Sequence, residues 1–260
     1  MSALPPEFLG PPLAHRALHD LAAGRPENSR AAFEAAIAAG YGIECDVQLS
    51  ADLQAMVFHD EELGRLTPES GPVAGRSAAE LARIPLKGSS EGIPTLAEML
   101  DLVAGRVALL IEVKDQSGTM GTTAGKLEAA VAANLASYRG PVAVMSFNPH
   151  SVAVLGRIAA AVPRGLTTSA YRARDWPELL PRQRERLRGI HDYEHVGASF
   201  ISHEARDLAR PRVAELKAAG AAVLCWTVRS PEAEAEARRI ADNITFEDYA
   251  AAIPAPMPAD

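Results

Sequence analysis

The chain has 260 residues, 48% hydrophobic and 23% charged, with a net charge of -7. That balance excludes a disordered chain, which would carry less apolar content and a larger charge imbalance, and it argues against a general polyanion binder, so no nucleic acid is expected as partner. No apolar run approaches the roughly 20 residues that span a bilayer, and integral membrane association is not expected. The first residues lack a basic segment followed by an apolar one, and Cys45 and Cys225 lie inside apolar runs. They read as reduced core thiols of a cytoplasmic protein.

Short β-rich runs alternate with Ala-rich helical stretches along the chain. In order, the patterns predict a strand over 13–16, a helix over 29–39, and strands over 42–47 and 55–59. Residues 61–92 are rich in Pro, Gly and Ser and read as an insertion with short helices, because about 30 residues make a poor core of their own. A helix over 96–102, a strand over 107–114, a helix over 122–138 and a strand over 142–147 follow. Then come a helix over 150–161, strands over 165–168 and 199–202, and a helix over 206–219. A strand over 223–228, a helix over 231–240, a last strand over 243–246 and a frayed tail over 252–260 complete the pattern. Such alternation predicts an α/β fold in a single domain spanning 1–260, and at this length a distorted (β/α)8 TIM barrel with a loop-rich insertion after the third strand. A doubly wound sheet is the runner-up, but no G-x-G-x-x-G follows the first strand.

One link breaks the alternation. Only seven residues separate Val47 from Ala55, too few for a crossover helix. A hairpin centred near Ala51–Asp52 would pair positions summing to 103, setting Glu44 opposite His59 and Asp46 opposite Val57. A parallel crossing without a helix is the alternative. Either geometry brings His59 and the two carboxylates to one end.

Charged residues gather at the ends of the first four strands, where barrel enzymes place their sites. They are His15-Arg16, Glu44-Cys45-Asp46, His59-Asp60 and Glu112-Val113-Lys114. Period two puts Glu44 and Asp46 on one face and Glu112 and Lys114 on one face. A single such pair is ordinarily a solvated strand end; four at successive strand ends point to chemistry. Glu44, Asp46 and Glu112 form an oxygen-only set suited to one divalent cation, Mg²⁺ or Ca²⁺. His15 and His59 can serve as general acid and base near neutral pH. Arg16 and Lys114 can bind phosphate oxygens. With a divalent cation, these three acids and two bases sum to +1, a match for one phosphodiester anion.

The chain resembles the glycerophosphodiester phosphodiesterases, within the wider phospholipase C-like phosphodiesterase barrels. The pieces that carry the resemblance are His15-Arg16, Pro26-Glu27-Asn28-Ser29 with Ala32-Phe33, Ile43-Glu44-Cys45-Asp46-Val47 and Val57-Phe58-His59-Asp60. Leu63-Gly64-Arg65-Leu66-Thr67, Ile93-Pro94-Thr95-Leu96, Ile111-Glu112-Val113-Lys114, Ser146-Phe147-Asn148 and Trp226-Thr227-Val228 continue the order. The resemblance implies a distorted barrel that hydrolyses glycerophosphodiesters, a small-molecule substrate, to sn-glycerol 3-phosphate and an alcohol. It implies His15 and His59 as the acid/base pair, and Glu44, Asp46 and Glu112 as ligands of Mg²⁺ or Ca²⁺. It also implies Arg16 and Lys114 as phosphate contacts, and Phe147 and Trp226 as residues packing against glycerol. Glu27 and Asn28 match a Pro-Glu-Asn turn near the metal. Three departures stand out: Ala17 replaces the glycine of a His-Arg-Gly element, Asp52-Leu53 replaces an Asp-Gly turn, and Thr245-Phe246-Glu247-Asp248 replaces a late Thr-Asp-x-Pro.

Other features read as structural. His191 and His195 lack a third ligand and fit a surface loop. The six arginines of 172–188 fit a solvated helical face, and His19-Asp20 a loop cap. His203 follows a strand and fits the mouth only if it turns inward. Two alternatives accompany the leading reading: a phospholipase D-like or cyclising activity on lysophospholipids, and a non-catalytic phosphodiester-binding barrel.

Overall fold

Alternation along each strand decides which side chains meet. In the strand Leu109–Val113, Leu109, Ile111 and Val113 pack into the large cluster shared with the helices, while Leu110 joins a separate inner cluster. The same alternation recurs around the molecule, described in a computed structural model over residues 2–254. Its strands are β1 Leu13–Ala14, β2 Gly42–Leu49, β3 Ala55–Val57, β4 Leu109–Val113, β5 Val142–Ser146, β6 Arg164–Thr168, β7 Phe200–Glu204, β8 Ala222–Val228 and β9 Asn243–Phe246. The helices are α1 Arg30–Ala39, α2 Ala78–Leu81, α3 Leu96–Val103, α4 Lys126–Leu135, α5 Pro149–Ile158, α6 Pro181–Arg188, α7 Pro211–Ala218 and α8 Pro231–Ala237. All strands except β3 run parallel, and β1 pairs with both β2 and β9. The result is a closed eight-stranded parallel barrel, the TIM architecture expected.

Local sequence sets the helix starts. Ser29, Thr95, Asn148 and Ser230 each accept a hydrogen bond from a backbone N–H of the first turn of α1, α3, α5 and α8. Each such cap is worth about 1 kcal/mol. The floor of the barrel is filled by Leu13, Leu110, Phe200 and Leu224, and Leu4 and Phe8 from the leading segment pack against them. Asn243 fixes that segment by donating to the carbonyls of Phe8 and Pro11, both at 2.8 Å.

β6 enters this floor through Gly165, where a Cβ would overlap the Phe200 ring. Gly165→Ala is therefore expected to destabilise the protein by about 1–3 kcal/mol, the usual cost of overpacking. The check is a urea titration, with a lower midpoint at unchanged slope; an unchanged midpoint would refute this packing account.

The hairpin differs from its expected register. Val47 pairs with Val57, Gln48 with Met56 and Leu49 with Ala55, so paired positions sum to 104, not 103. Asp46 thus faces Phe58, whose N–H donates to the Asp46 carbonyl at 3.0 Å, and not Val57. The cause is an odd loop. Ser50 pairs with Gln54, leaving three residues between them, and Leu53 adopts the left-handed conformation at φ 62° that such a loop demands. A two-residue turn, which the expected register required, would have suited a glycine at that place.

The insertion after β3 contains two short 3₁₀ turns, Leu63–Arg65 and Val73–Gly75, and α2. Its Leu63, Val73, Leu81, Ile84 and Leu86 pack on Met56, Phe58 and Ile93 from the flanking chain. This small core is completed by residues lent from β3 and its surroundings, which answers the shortage of apolar residues in the insertion alone. Of the tail expected to fray over 252–260, residues 252–254 are exposed and 255–260 lie outside the described residues; Ala251, just before it, is buried and its carbonyl accepts a hydrogen bond from Tyr41 Oη at 2.7 Å. Among the described residues no helix is long and apolar enough to cross a membrane.

Candidate active site

Along β2 and at the C-terminal end of β4 the inward-facing positions are acidic. Asp46 is in register with Glu112, and Glu44 lies one pleat below Asp46 on the same face. Glu44, Asp46 and Glu112 are all buried and offer one carboxylate oxygen each within 4.8 Å of one another. Three carboxylates this close cannot all ionise without compensating positive charge. Burial, then repulsion from Asp46 and Glu112, pushes the Glu44 carboxyl well above its ordinary value. Asp46 goes the other way: burial opposes ionisation, but Lys114, His59 and Arg16 outweigh it and hold the carboxyl well below its ordinary range. An all-oxygen donor set with an excess of buried negative charge fits a hard divalent cation.

Two cations border the acids. Lys114 Nζ lies 2.8 Å from Glu112, 3.4 Å from Asp46 and 3.2 Å from His59 Nε2. Arg16 and Ala17 both have left-handed backbone conformations, at φ 54° and 65°, so the bend persists with alanine in place of glycine. That bend aims the Arg16 N–H at Glu44 Oε2, 3.0 Å away. The Arg16 side chain donates through Nη1 to Glu27 at 2.8 Å, while its buried Nε makes no hydrogen bond among the described residues and stands 3.8 Å from Asp46. A buried, unpartnered guanidinium N–H beside the acids suits an anionic oxygen.

Each histidine is backed by a carboxylate. Glu247, just past β9, pairs with His15 Nδ1, and Asp60 pairs with His59 Nδ1 at 2.7 Å. A carboxylate held well below its ordinary range accepts only, so in both rings Nδ1 carries the proton. His59 Nε2 lies 3.2 Å from the Lys114 ammonium. Burial pulls His15 below its ordinary value, against the opposing Glu247 hydrogen bond. Arg229 pairs with the other Glu247 oxygen.

The structure thus brings together His15, Arg16, Glu44, Asp46, His59, Glu112 and Lys114. Phe147 and Trp226 lie at the mouth with ring centroids 5.5 Å apart, and Trp176 packs on Phe147 at 5.0 Å. Beside Trp226 is a cleft of about 260 Å³ lined also by Trp176, Glu204 and Arg206. Asn28 donates to Asp46 at 3.1 Å from the turn before α1, whereas Glu27 meets arginines, not the three acids.

Sequence reasoning assigned no role to Glu247, Asp60, Arg65 or Trp176. Asp60 carried a local signal, its adjacency to His59. Glu247 carried none, being 232 positions from His15. His203 turns away from the mouth: its ring is buried between Thr168 Oγ1 at 2.8 Å and Asp207. His191 and His195 are exposed, Asp20 caps the turn Leu21–Ala23, and part of the arginine-rich stretch forms α6.

Comparison with known proteins bears on this geometry. A family model described as the glycerophosphoryl diester phosphodiesterase family matches residues 15–247. The chain belongs to that family. The span matched by the phosphodiesterase family begins at His15 and ends at Glu247, the two residues that meet across the barrel. YhdW of Bacillus subtilis (strain 168) is 26% identical over 246 residues, covering 91% of this chain and 93% of that protein. A glycerophosphodiester phosphodiesterase of Caldanaerobacter subterraneus subsp. tengcongensis is 30% identical over 162 residues, 60% of this chain and 66% of its own. Among solved structures, an Oleispira antarctica phosphodiesterase in complex with the product sn-glycerol-3-phosphate has a TM-score of 0.73 at 26% identity, covering 93% of this chain and 94% of that one. A Silicibacter pomeroyi DSS-3 structure, 23% identical with a TM-score of 0.74, shares the fold over 93% of both chains.

Proposed function

We propose that this phosphodiesterase hydrolyses glycerophosphodiesters to sn-glycerol 3-phosphate and an alcohol, using one divalent cation, Mg²⁺ or Ca²⁺, in a single-domain cytoplasmic protein. The observation that carries the reading is the meeting of three buried carboxylates with two carboxylate-backed histidines at one end of the barrel. Family membership and the product bound to the Oleispira relative support the substrate class. The free, buried Cys45 and Cys225 support the compartment.

Glu44, Asp46 and Glu112 would hold the cation, which when bound polarises the phosphoryl oxygens. Arg16, through its unpartnered Nε, and Lys114 bind the phosphodiester anion. Of His15 and His59, one takes a proton from the attacking water as its oxygen bonds to phosphorus, and the other gives a proton to the departing alcohol as its P–O bond breaks. Each does so through Nε2, since Nδ1 is committed to a carboxylate. Phe147 and Trp226 cover the carbon edge of glycerol, and the alcohol leaves toward the mouth.

The aromatic wall of Phe147, Trp176 and Trp226 favours a second reading, attack by a neighbouring hydroxyl of a lysophospholipid to give a cyclic phosphate. Phosphorus NMR of the products separates the two, and no turnover would leave a binding barrel. The substrate test compares glycerophosphocholine with an alkyl phosphocholine diester lacking the glycerol hydroxyls. A large preference for glycerophosphocholine is expected. Equal kcat/KM would remove glycerol recognition and leave a generic phosphodiesterase.

A further inference from the structure

Arg65 belongs to no barrel strand. It ends the first 3₁₀ turn of the insertion, and its guanidinium reaches two carboxylates at once. Nε and Nη2 donate to Asp60 at 2.6 and 2.8 Å, while Nη1 and Nη2 donate to Glu27, both at 2.8 Å. The same two carboxylates continue inward. Asp60 Oδ1 holds His59 Nδ1 at 2.7 Å, and Glu27 Oε1 accepts from Arg16 Nη1 at 2.8 Å. One guanidinium therefore sits at the centre of a chain running His59, Asp60, Arg65, Glu27, Arg16. Its own backbone is fixed, because Lys87 Nζ donates to the carbonyls of Gly64 and Arg65 at 2.7 and 2.8 Å. Leu63, two residues earlier, is buried in the insertion's small core.

We propose that Arg65 is a positioning residue, which sets the His59 ring and the Arg16 guanidinium relative to each other through Asp60 and Glu27, and that the insertion serves to deliver it. The inference rests on the phosphodiesterase reading above. Exposed ion pairs usually contribute little, but a planar guanidinium forked onto two carboxylates imposes geometry that a point charge cannot. Arg65 is about half exposed, while Glu27 and Asp60 are largely covered, so the fork works at the rim of the site. Misplacing a reacting group by about 1 Å costs about 100-fold in rate, and that is the scale at stake.

The test uses the full chain with saturating Mg²⁺ and glycerophosphocholine across a pH series. Arg65→Ala is expected to lower kcat/KM by about 10–100-fold. It also shifts the pH–rate profile upward. The groups facing His59 are Asp60 on its own loop, Asp46 from β2, Lys114 beyond β4, and Arg65 and Glu27 beyond Asp60; deleting one positive charge from that set favours the protonated pair. Arg65→Lys keeps the charge without the fork, so it should return the profile toward its wild-type position without restoring the rate. Full rate in Arg65→Lys, or a wild-type rate and profile in Arg65→Ala, would overturn the proposal. Should Arg65→Ala fail to fold, Arg65→Lys and Glu27→Gln decide: each must lower the rate in a folded protein. Ring-nitrogen NMR supplies a readout that needs no turnover. His59 should hold the Nδ1–H tautomer in wild type and exchange between tautomers in Arg65→Lys, and an unchanged tautomer there counts against positioning. If wild type turns over no glycerophosphodiester, the functional reading fails while the NMR result still decides the role of Arg65.

Discussion

Exhaustive chelation is expected to abolish turnover, and added Mg²⁺ or Ca²⁺ to restore it. The expectation follows from the electrostatics of Glu44, Asp46 and Glu112, whose buried oxygens converge with Lys114 already engaged on two of them. Glu44→Gln keeps an acceptor for the Arg16 N–H while removing one charge, so it should weaken metal affinity and leave the fold intact. The same substitution has a pH signature in metal-free protein. The folded-state Glu44 carboxyl titrates well above its ordinary value of 4.5, so the native state binds more protons than the unfolded chain above that pH. Stability must then fall as pH rises from about 4.5 through the folded-state titration. Glu44→Gln removes this slope. Thermal unfolding at several pH values, with and without metal, checks both parts. At a hundredfold excess over Kd the metal should add about 2.7 kcal/mol to wild type, and far less to the variant. Full activity after chelation, or equal metal stabilisation in the two proteins, would sink the assignment.

Alanine at His15 or at His59 is expected to lower kcat by about 100-fold or more, the usual scale for a positioned acid or base. The double variant should lose little beyond the worse single, because the two act as a unit. Wild-type turnover should follow a bell-shaped pH profile. His15 adds a finer expectation. Burial lowers its titration and the Glu247 hydrogen bond opposes that lowering, so Glu247→Gln should move the His15 limb to still lower pH. Steady-state kinetics from pH 4 to 10 measure all of this, a range chosen to be about 3 units either side of neutrality. Near-wild-type turnover in either alanine variant removes that histidine from the mechanism, and a Glu247→Gln limb displaced upward would contradict the sign.

What could be read from the chain was local. Glu44 and Asp46 share a face by simple alternation, as do Glu112 and Lys114, and each histidine closes a recognisable apolar run. The strand-helix order was legible for the same reason, since every segment carries its own period. The hairpin register was not, because it turns on whether the loop has an odd or even number of residues, and Leu53 gives no glycine to mark a left-handed position. Glu247 and Arg65 were missed for a different cause. Their roles depend on partners brought near by closure of the barrel and by docking of the insertion, and no spacing in the chain encodes either.

The seam where β1 meets β9 joins the first and the last barrel strand in chain order. Until β9 is in place, β1 and β8 present bare hydrogen-bonding edges, and contacts of such long sequence separation form slowly. His15 acquires its carboxylate from the far side of this seam. Helices and most of the sheet can therefore be in place in a nascent or refolding chain that still lacks a correctly held His15, so the regain of turnover is a clock for the final zipping of the barrel and not for the appearance of its secondary structure.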